Sequence, residues 1–194
     1  MRIGTDMLVY LPLLLALAYA SVVDVRERKI RNWLTFGLAL AGLGQALASA
    51  LLPAWIAPVS PVSAGMSLAG FFTGFALTFV LFAMGGLGGG DVKLLAAVGA
   101  WVGPVPVLLI FAVEALMGMG IVLVQAGQQG KLSLLFKNSA TIAVNVINVN
   151  HLGVDHVSAT GQSCRSIDRP LPYAVPVFGA TLVVLVAKAS GWIG

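Results

Sequence analysis

Charge is what this sequence has least of. Only 9% of its 194 residues are Asp, Glu, Lys or Arg, and just seven are acidic, against about 25% charged in an average soluble domain. A water-facing surface is thereby excluded for most of the chain. Cysteine is nearly absent as well. Cys164 stands alone, which rules out an internal disulfide and a Cys-x-x-Cys zinc domain. No ten-residue alternation of polar and apolar residues runs through the spans, so a membrane β-barrel is excluded too. The halves of the chain share no internal repeat.

What fills the sequence instead is apolar: 59% hydrophobic residues and a mean hydropathy of +0.98. The runs 7–24, 33–52, 65–85, 92–103, 105–126 and 171–190 are each bounded by Pro, Gly or charge. They predict an all-α polytopic membrane bundle of about six transmembrane helices. The fourth run is short, since twelve residues rise about 18 Å as a helix while the hydrocarbon core is about 30 Å thick. A turn at Gly103-Pro104 is expected to end it. The chain reads as a single membrane domain, 1–194, with one polar insertion at about 127–170. Within that insertion, the β-branched alternation Thr141 to Val149 fits either a strand-like piece or a segment on the membrane surface.

A net charge of +4 invites a nucleic-acid partner, but the basic residues lie between spans rather than along one solvated face. With the N-terminus outside, Arg26, Arg28, Lys29, Arg31, Lys93, Lys131, Lys137, Arg165 and Arg169 fall on the cytoplasmic side, nine of eleven basic residues. The link 53–64 carries three prolines and no charge, as expected of a translocated loop. The partner implied is the lipid bilayer of the cytoplasmic membrane, and no nucleic acid. Met7 to Leu17 followed by Ala18-Tyr19-Ala20 imitates a secretory signal. The stronger positive cluster after the span favours a retained anchor.

Against this background two aspartates stand out, Asp24 at the end of the first run and Asp91 directly after Gly88-Gly89-Gly90. Carboxylates at membrane depth are expensive and usually functional. On the topology above they share one cytoplasmic depth, where two carboxylates can share a proton and activate a water. Each also has a plainer reading: Asp91 as a helix N-cap, Asp24 as an interfacial anchor beside Arg26 and Arg28. Glu114, in mid-span, fits a neutral acid hydrogen-bonded within the bundle. It also favours the alternative function, a small proton- or cation-coupled transporter using intramembrane acids, although transporters often show the internal repeat this chain lacks. His151, Asp155 and His156 lack a fourth ligand of suitable spacing, so no metal and no cofactor is expected. Ser163 and Ser166 flank Cys164 without a positioned histidine, which leaves serine and cysteine proteolysis unsupported.

Gly88-Gly89-Gly90-Asp91 matches the Gly-x-Gly-Asp signature of intramembrane aspartic proteases, and the wider stretch Gly86 to Ala97 resembles type IV prepilin peptidases. Asp24, the basic link after it and Ile30-Arg31-Asn32 resemble that family's first aspartate motif, which usually ends Ile-Pro-Asn; here Arg31 replaces the proline. Pro172-Tyr173-Ala174-Val175-Pro176 is similar to the family's final-helix signature. The resemblance implies that Asp24 and Asp91 are catalytic, that Gly88, Gly89 and Gly90 form an active-site loop, and that Asn32 and Lys93 support the site. It implies an aspartic endopeptidase cleaving the basic leader of type IV prepilin or pseudopilin precursors at the cytoplasmic membrane face, with pilus assembly machinery as a further candidate partner. The chain looks like the short branch that serves tight-adherence (Flp) pili. It lacks the cysteine-paired cytoplasmic domain of larger members, so methyltransferase activity is not implied.

Overall fold

The computed structural model describes residues 8–52, 60, 62–163 and 172–192. Cys164, Arg165, Ser166 and Arg169 lie outside the described residues, as does most of the proline-rich link. Every regular element among the described residues is helical. Helix α1 (Leu11–Glu27) starts with a proline in its first turn, where the missing N–H costs nothing. It stops at Arg28, whose left-handed backbone (φ 52°) returns its N–H to the Asp24 carbonyl. Helix α2 (Asn32–Leu51) follows after a short link. Helix α3 (Ala64–Ala83) is capped by the Ser63 hydroxyl, which accepts from the Met66 N–H.

Helix α4 (Gly89–Val102) and helix α5 (Pro104–Gln128) are separated by Gly103, whose φ of 87° breaks the helical path. The turn expected there is present. At 14 residues α4 is short, and it is buried from Leu94 through Val102 without interruption. A helix apolar and covered on every side is a central one. It lies against α2, α3 and α5, and α3 comes closest. A Cβ on Gly70 would stand 2.1 Å from the Gly99 carbonyl oxygen, and one on Gly99 equally close to the Gly70 oxygen. Backbone therefore rests on backbone, the close packing that small residues allow between membrane helices. Trp101 closes the other side by donating its indole N–H to the Leu38 carbonyl at 2.8 Å.

Helix α9 (Ala174–Ala189) packs on α1 and α5, so the first and last helices of the bundle are neighbours. Helices α2, α3 and α5 are long and apolar enough to cross a membrane, and α9 is a shorter apolar helix. Large apolar side chains such as Leu40, Phe72, Leu116 and Val183 point outward, 70%, 58%, 68% and 53% exposed. An apolar outer face of this extent needs lipid rather than water against it. The chain is an integral membrane protein with an all-α fold.

The insertion contains no strand among its described residues. Thr141 to Ile147 continue α6 (Leu132–Ile147), followed by the short α7 (Val149–Leu152) and α8 (Val154–Ser163). The β-branched run is carried into a helix by the turns before it: the Thr141 hydroxyl bonds back to the Lys137 carbonyl at 3.0 Å, and Asn145 reaches Thr160 on α8 at 3.2 Å.

Candidate active site

Asp24 lies one turn from the end of α1 and is 6% exposed. A buried carboxylate needs donors, and the start of α9 supplies one. The Ala174 N–H donates to Asp24 Oδ2 at 3.0 Å. One turn earlier on α1, the Ser21 hydroxyl donates to the Ala174 carbonyl, also at 3.0 Å. Both backbone groups of Ala174 are thus tied to α1, and the N-terminal end of α9 faces the carboxylate, where its exposed amides favour negative charge.

Asp91 sits in the first turn of α4, ahead of the apolar run that begins at Val92. It is not the N-cap. Gly88 holds that position, so Gly89 and Gly90 belong to the helix rather than to an active-site loop. The capping idea survives in altered form, because Asp91 Oδ2 reaches back to accept the Gly88 N–H at 2.9 Å. Burial pushes the Asp91 carboxyl up to about 6 from its ordinary 3.8; the Gly88 N–H opposes the rise and the charge of Asp24 adds to it. The glycines differ in what they could accommodate. A Cβ on Gly88 would meet Asp91 Oδ2 at 3.2 Å and one on Gly90 would meet Ile30 at 3.3 Å, whereas one on Gly89 finds only Phe82 at 3.8 Å. Both glycines fixed in the Gly-x-Gly-Asp signature are cramped, and the variable position has room.

The two aspartates open onto one cavity of about 380 Å³, whose wall also includes Arg28, Asn32, Gly90 and Tyr173. Its two carboxylate-bearing halves are held together by the α1–α2 link. Ile30 rests on Gly90, and Lys93 Nζ donates to Asn32 Oδ1 at 3.0 Å while lying over the Phe36 ring. Lys93 therefore braces the site from behind rather than lining it. No group of His, Cys, Asp and Glu that could hold a metal occurs among the described residues. His151, Asp155 and His156 sit on α7 and α8, away from the cavity wall.

Comparison with known proteins identifies the family. The type IV leader peptidase family matches residues 11–123, which takes in both aspartates. The chain belongs to the type IV leader peptidase family. A preflagellin peptidase from Methanococcus voltae is 34% identical over 94 residues, 48% of this chain and 38% of that protein. A prepilin leader peptidase/N-methyltransferase from Aeromonas salmonicida is 31% identical over 132 residues, 66% of this chain and 44% of that protein. The matches thus span less than half the length of these relatives. No solved structure matches the chain. Nothing in these comparisons points to a transporter.

Within this family, the departure at Arg31 is mild. Its φ of −71° and ψ of 128° are values that proline adopts, so arginine keeps the backbone path that the Ile-Pro-Asn motif would set, and its guanidinium pairs with Glu27 at 3.1 Å across an exposed surface. Sequence reasoning missed Ser21 and the Ala174 N–H as partners in the site. A serine one turn before the aspartate was a readable signal for the first; a backbone amide leaves none. Glu114 is 3% exposed and accepts a hydrogen bond from the Tyr173 hydroxyl, which places this acid beside the site rather than on a separate pathway.

Proposed function

We propose that this peptidase-family member is an aspartic endopeptidase that removes the short basic leader from type IV prepilin-like precursors, of the Flp type, at the cytoplasmic face of the inner membrane. The observation that carries the reading is the convergence of Asp24 and Asp91, from separate helices, on one cavity. Two carboxylates facing one cavity oppose each other's ionisation, and the reactive form is the one in which the pair holds a single proton. The ionised member takes a proton from water as the water oxygen attacks the scissile carbonyl. The protonated member gives its proton to the carbonyl oxygen, and the tetrahedral intermediate collapses when a proton reaches the leaving amine. The products are a leader carboxylate and a new pilin N-terminus.

A precursor whose apolar helix already lies in the bilayer would bring its leader junction to the end of the bundle where the cavity opens. The basic residues of the links at that end support its placement on the cytoplasmic side, with the N-terminus outside. Methylation of the product is not part of this reading, and pilus assembly machinery is the partner that would receive the mature pilin. Co-expression with a candidate Flp-type prepilin, read by gel mobility and by the mass of the product, tests it. The expected product is the leaderless, unmethylated pilin. An uncleaved precursor beside a well-inserted peptidase, across a panel of prepilins, contradicts the reading.

A further inference from the structure

Glu114 lies in the middle of α5, apolar for turns on either side, and a carboxyl at that depth is costly. One of its oxygens, Oε2, is buried without a hydrogen-bond partner among the described residues. The other accepts from the Tyr173 hydroxyl. Tyr173 forms part of the cavity wall. The next residue, Ala174, gives its N–H to Asp24 and takes the Ser21 hydroxyl on its carbonyl. A continuous set of contacts therefore runs from mid-span to the dyad: Glu114 to the Tyr173 side chain, Tyr173 to Ala174 along the backbone, Ala174 to Asp24. Among the described residues, Tyr173 is the hydrogen-bond partner that this mid-span acid holds.

We propose that Glu114 is a positioning residue for leader cleavage, acting on Asp24 through Tyr173 and Ala174. Tyr173 immediately precedes α9. Fixing its hydroxyl sets the rotation and height of the first turn of α9, and with it the direction of the N–H that orients Asp24. Freed from Glu114, the tyrosine ring can turn into the cavity and the Ala174 amide can tilt away. A carboxyl oxygen suits this task because it is a strong acceptor for a phenolic O–H, and an amide oxygen can serve in its place while an apolar side chain cannot.

The inference rests on the peptidase reading, and two readouts keep their failures apart. In purified protein with a prepilin that the wild type cleaves, Tyr173→Phe and Glu114→Leu are each expected to lower kcat about tenfold with KM changed less than twofold. The double variant should fall no further, as for two members of one unit, and Glu114→Gln should keep most of kcat. The second readout needs no substrate: ¹³Cγ-aspartate NMR, with the Asp24 signal assigned by its loss in Asp24→Asn. That signal should move in Tyr173→Phe and Glu114→Leu, stay in Glu114→Gln, and leave the Asp155 signal in place. Tyr173→Phe removes one oxygen atom, so it reports even if Glu114→Leu fails to fold. An Asp24 signal and a kcat both unmoved in Tyr173→Phe overturn the proposal. If no prepilin is cleaved by the wild type, the peptidase reading fails, and the NMR signal alone decides the contact path.

Discussion

Asp91 shows in one side chain how a buried carboxyl can burden the fold that carries it. Burial pushes its carboxyl up from 3.8 to about 6, so the native state retains a proton that the unfolded chain releases between those values. Stability must then fall as pH rises through that window and stay low above it. Asp91→Asn keeps an acceptor for the Gly88 N–H and removes the buried charge. Thermal melting should show this variant more stable than wild type by on the order of 2 kcal/mol at pH 7.5, with the gain shrinking toward zero near pH 4; equal melting at both pH values would contradict the burial argument. The neighbouring glycines give a second prediction. Gly89→Ala should cleave nearly as wild type, whereas Gly90→Ala must push Ile30 aside and should lose at least tenfold in rate. At this scale the sequence was informative wherever a side chain was unusual for its surroundings. Asp24 and Asp91 are conspicuous because the chain has only seven acidic residues and these two stand at the ends of apolar runs, while the Ala174 N–H that orients Asp24 is chemically like every other amide.

Among the helices, the α3–α4 pair is the most constrained. A Cβ on Gly70 would collide with the backbone of α4, whereas one on Gly37 meets nothing within 4 Å. Gly70→Leu should therefore abolish the folded, detergent-stable protein, and Gly37→Leu should leave it intact, as judged by size-exclusion profile; survival of Gly70→Leu would show that the two helices can separate. The α1–α2 link makes the opposite case. Arg31 already holds a proline-like φ of −71°, so Arg31→Pro should raise stability by up to about 1 kcal/mol by restricting the unfolded chain, less whatever the exposed Glu27 pair contributed, which is typically small. Helix positions were readable from apolar runs bounded by breakers, including the break at Gly103. The β-branched run in the insertion was not, because its alternation has the period of a strand while its neighbours on α6 and its contact with α8 decide for helix. Propensity is a weak prior beside such context.

At the scale of the whole molecule, three chain segments distant in sequence meet at one end of a lipid-facing bundle: the end of α1, the start of α4 and the start of α9. The α1–α2 link, the α3–α4 turn and the approach to α9 all lie there, and the basic residues concentrate with them, which is the charge asymmetry on which the proposed topology rests. In a Cys164→Ser background, Ser63→Cys should react with an impermeant thiol reagent in intact cells and Gln129→Cys only after permeabilisation; the reverse pattern would put the cavity on the outer face. What charge could not reveal is the depth of the dyad or the way α9 closes over Asp24, since both depend on how α4 nests against α3 and on hydrogen bonds made by backbone. On the proposed function, Asp24 and Asp91 act as a pair on one scissile bond. The most direct measurement of this pairing is the rate of leader removal from a purified prepilin by reconstituted wild type, Asp24→Asn and Asp91→Asn at equal amounts of inserted protein. Cleavage by the wild type and none detectable by either variant is expected, because asparagine keeps the shape of each side chain but exchanges no proton. Leader removal at the wild-type rate by either asparagine variant would contradict the pairing.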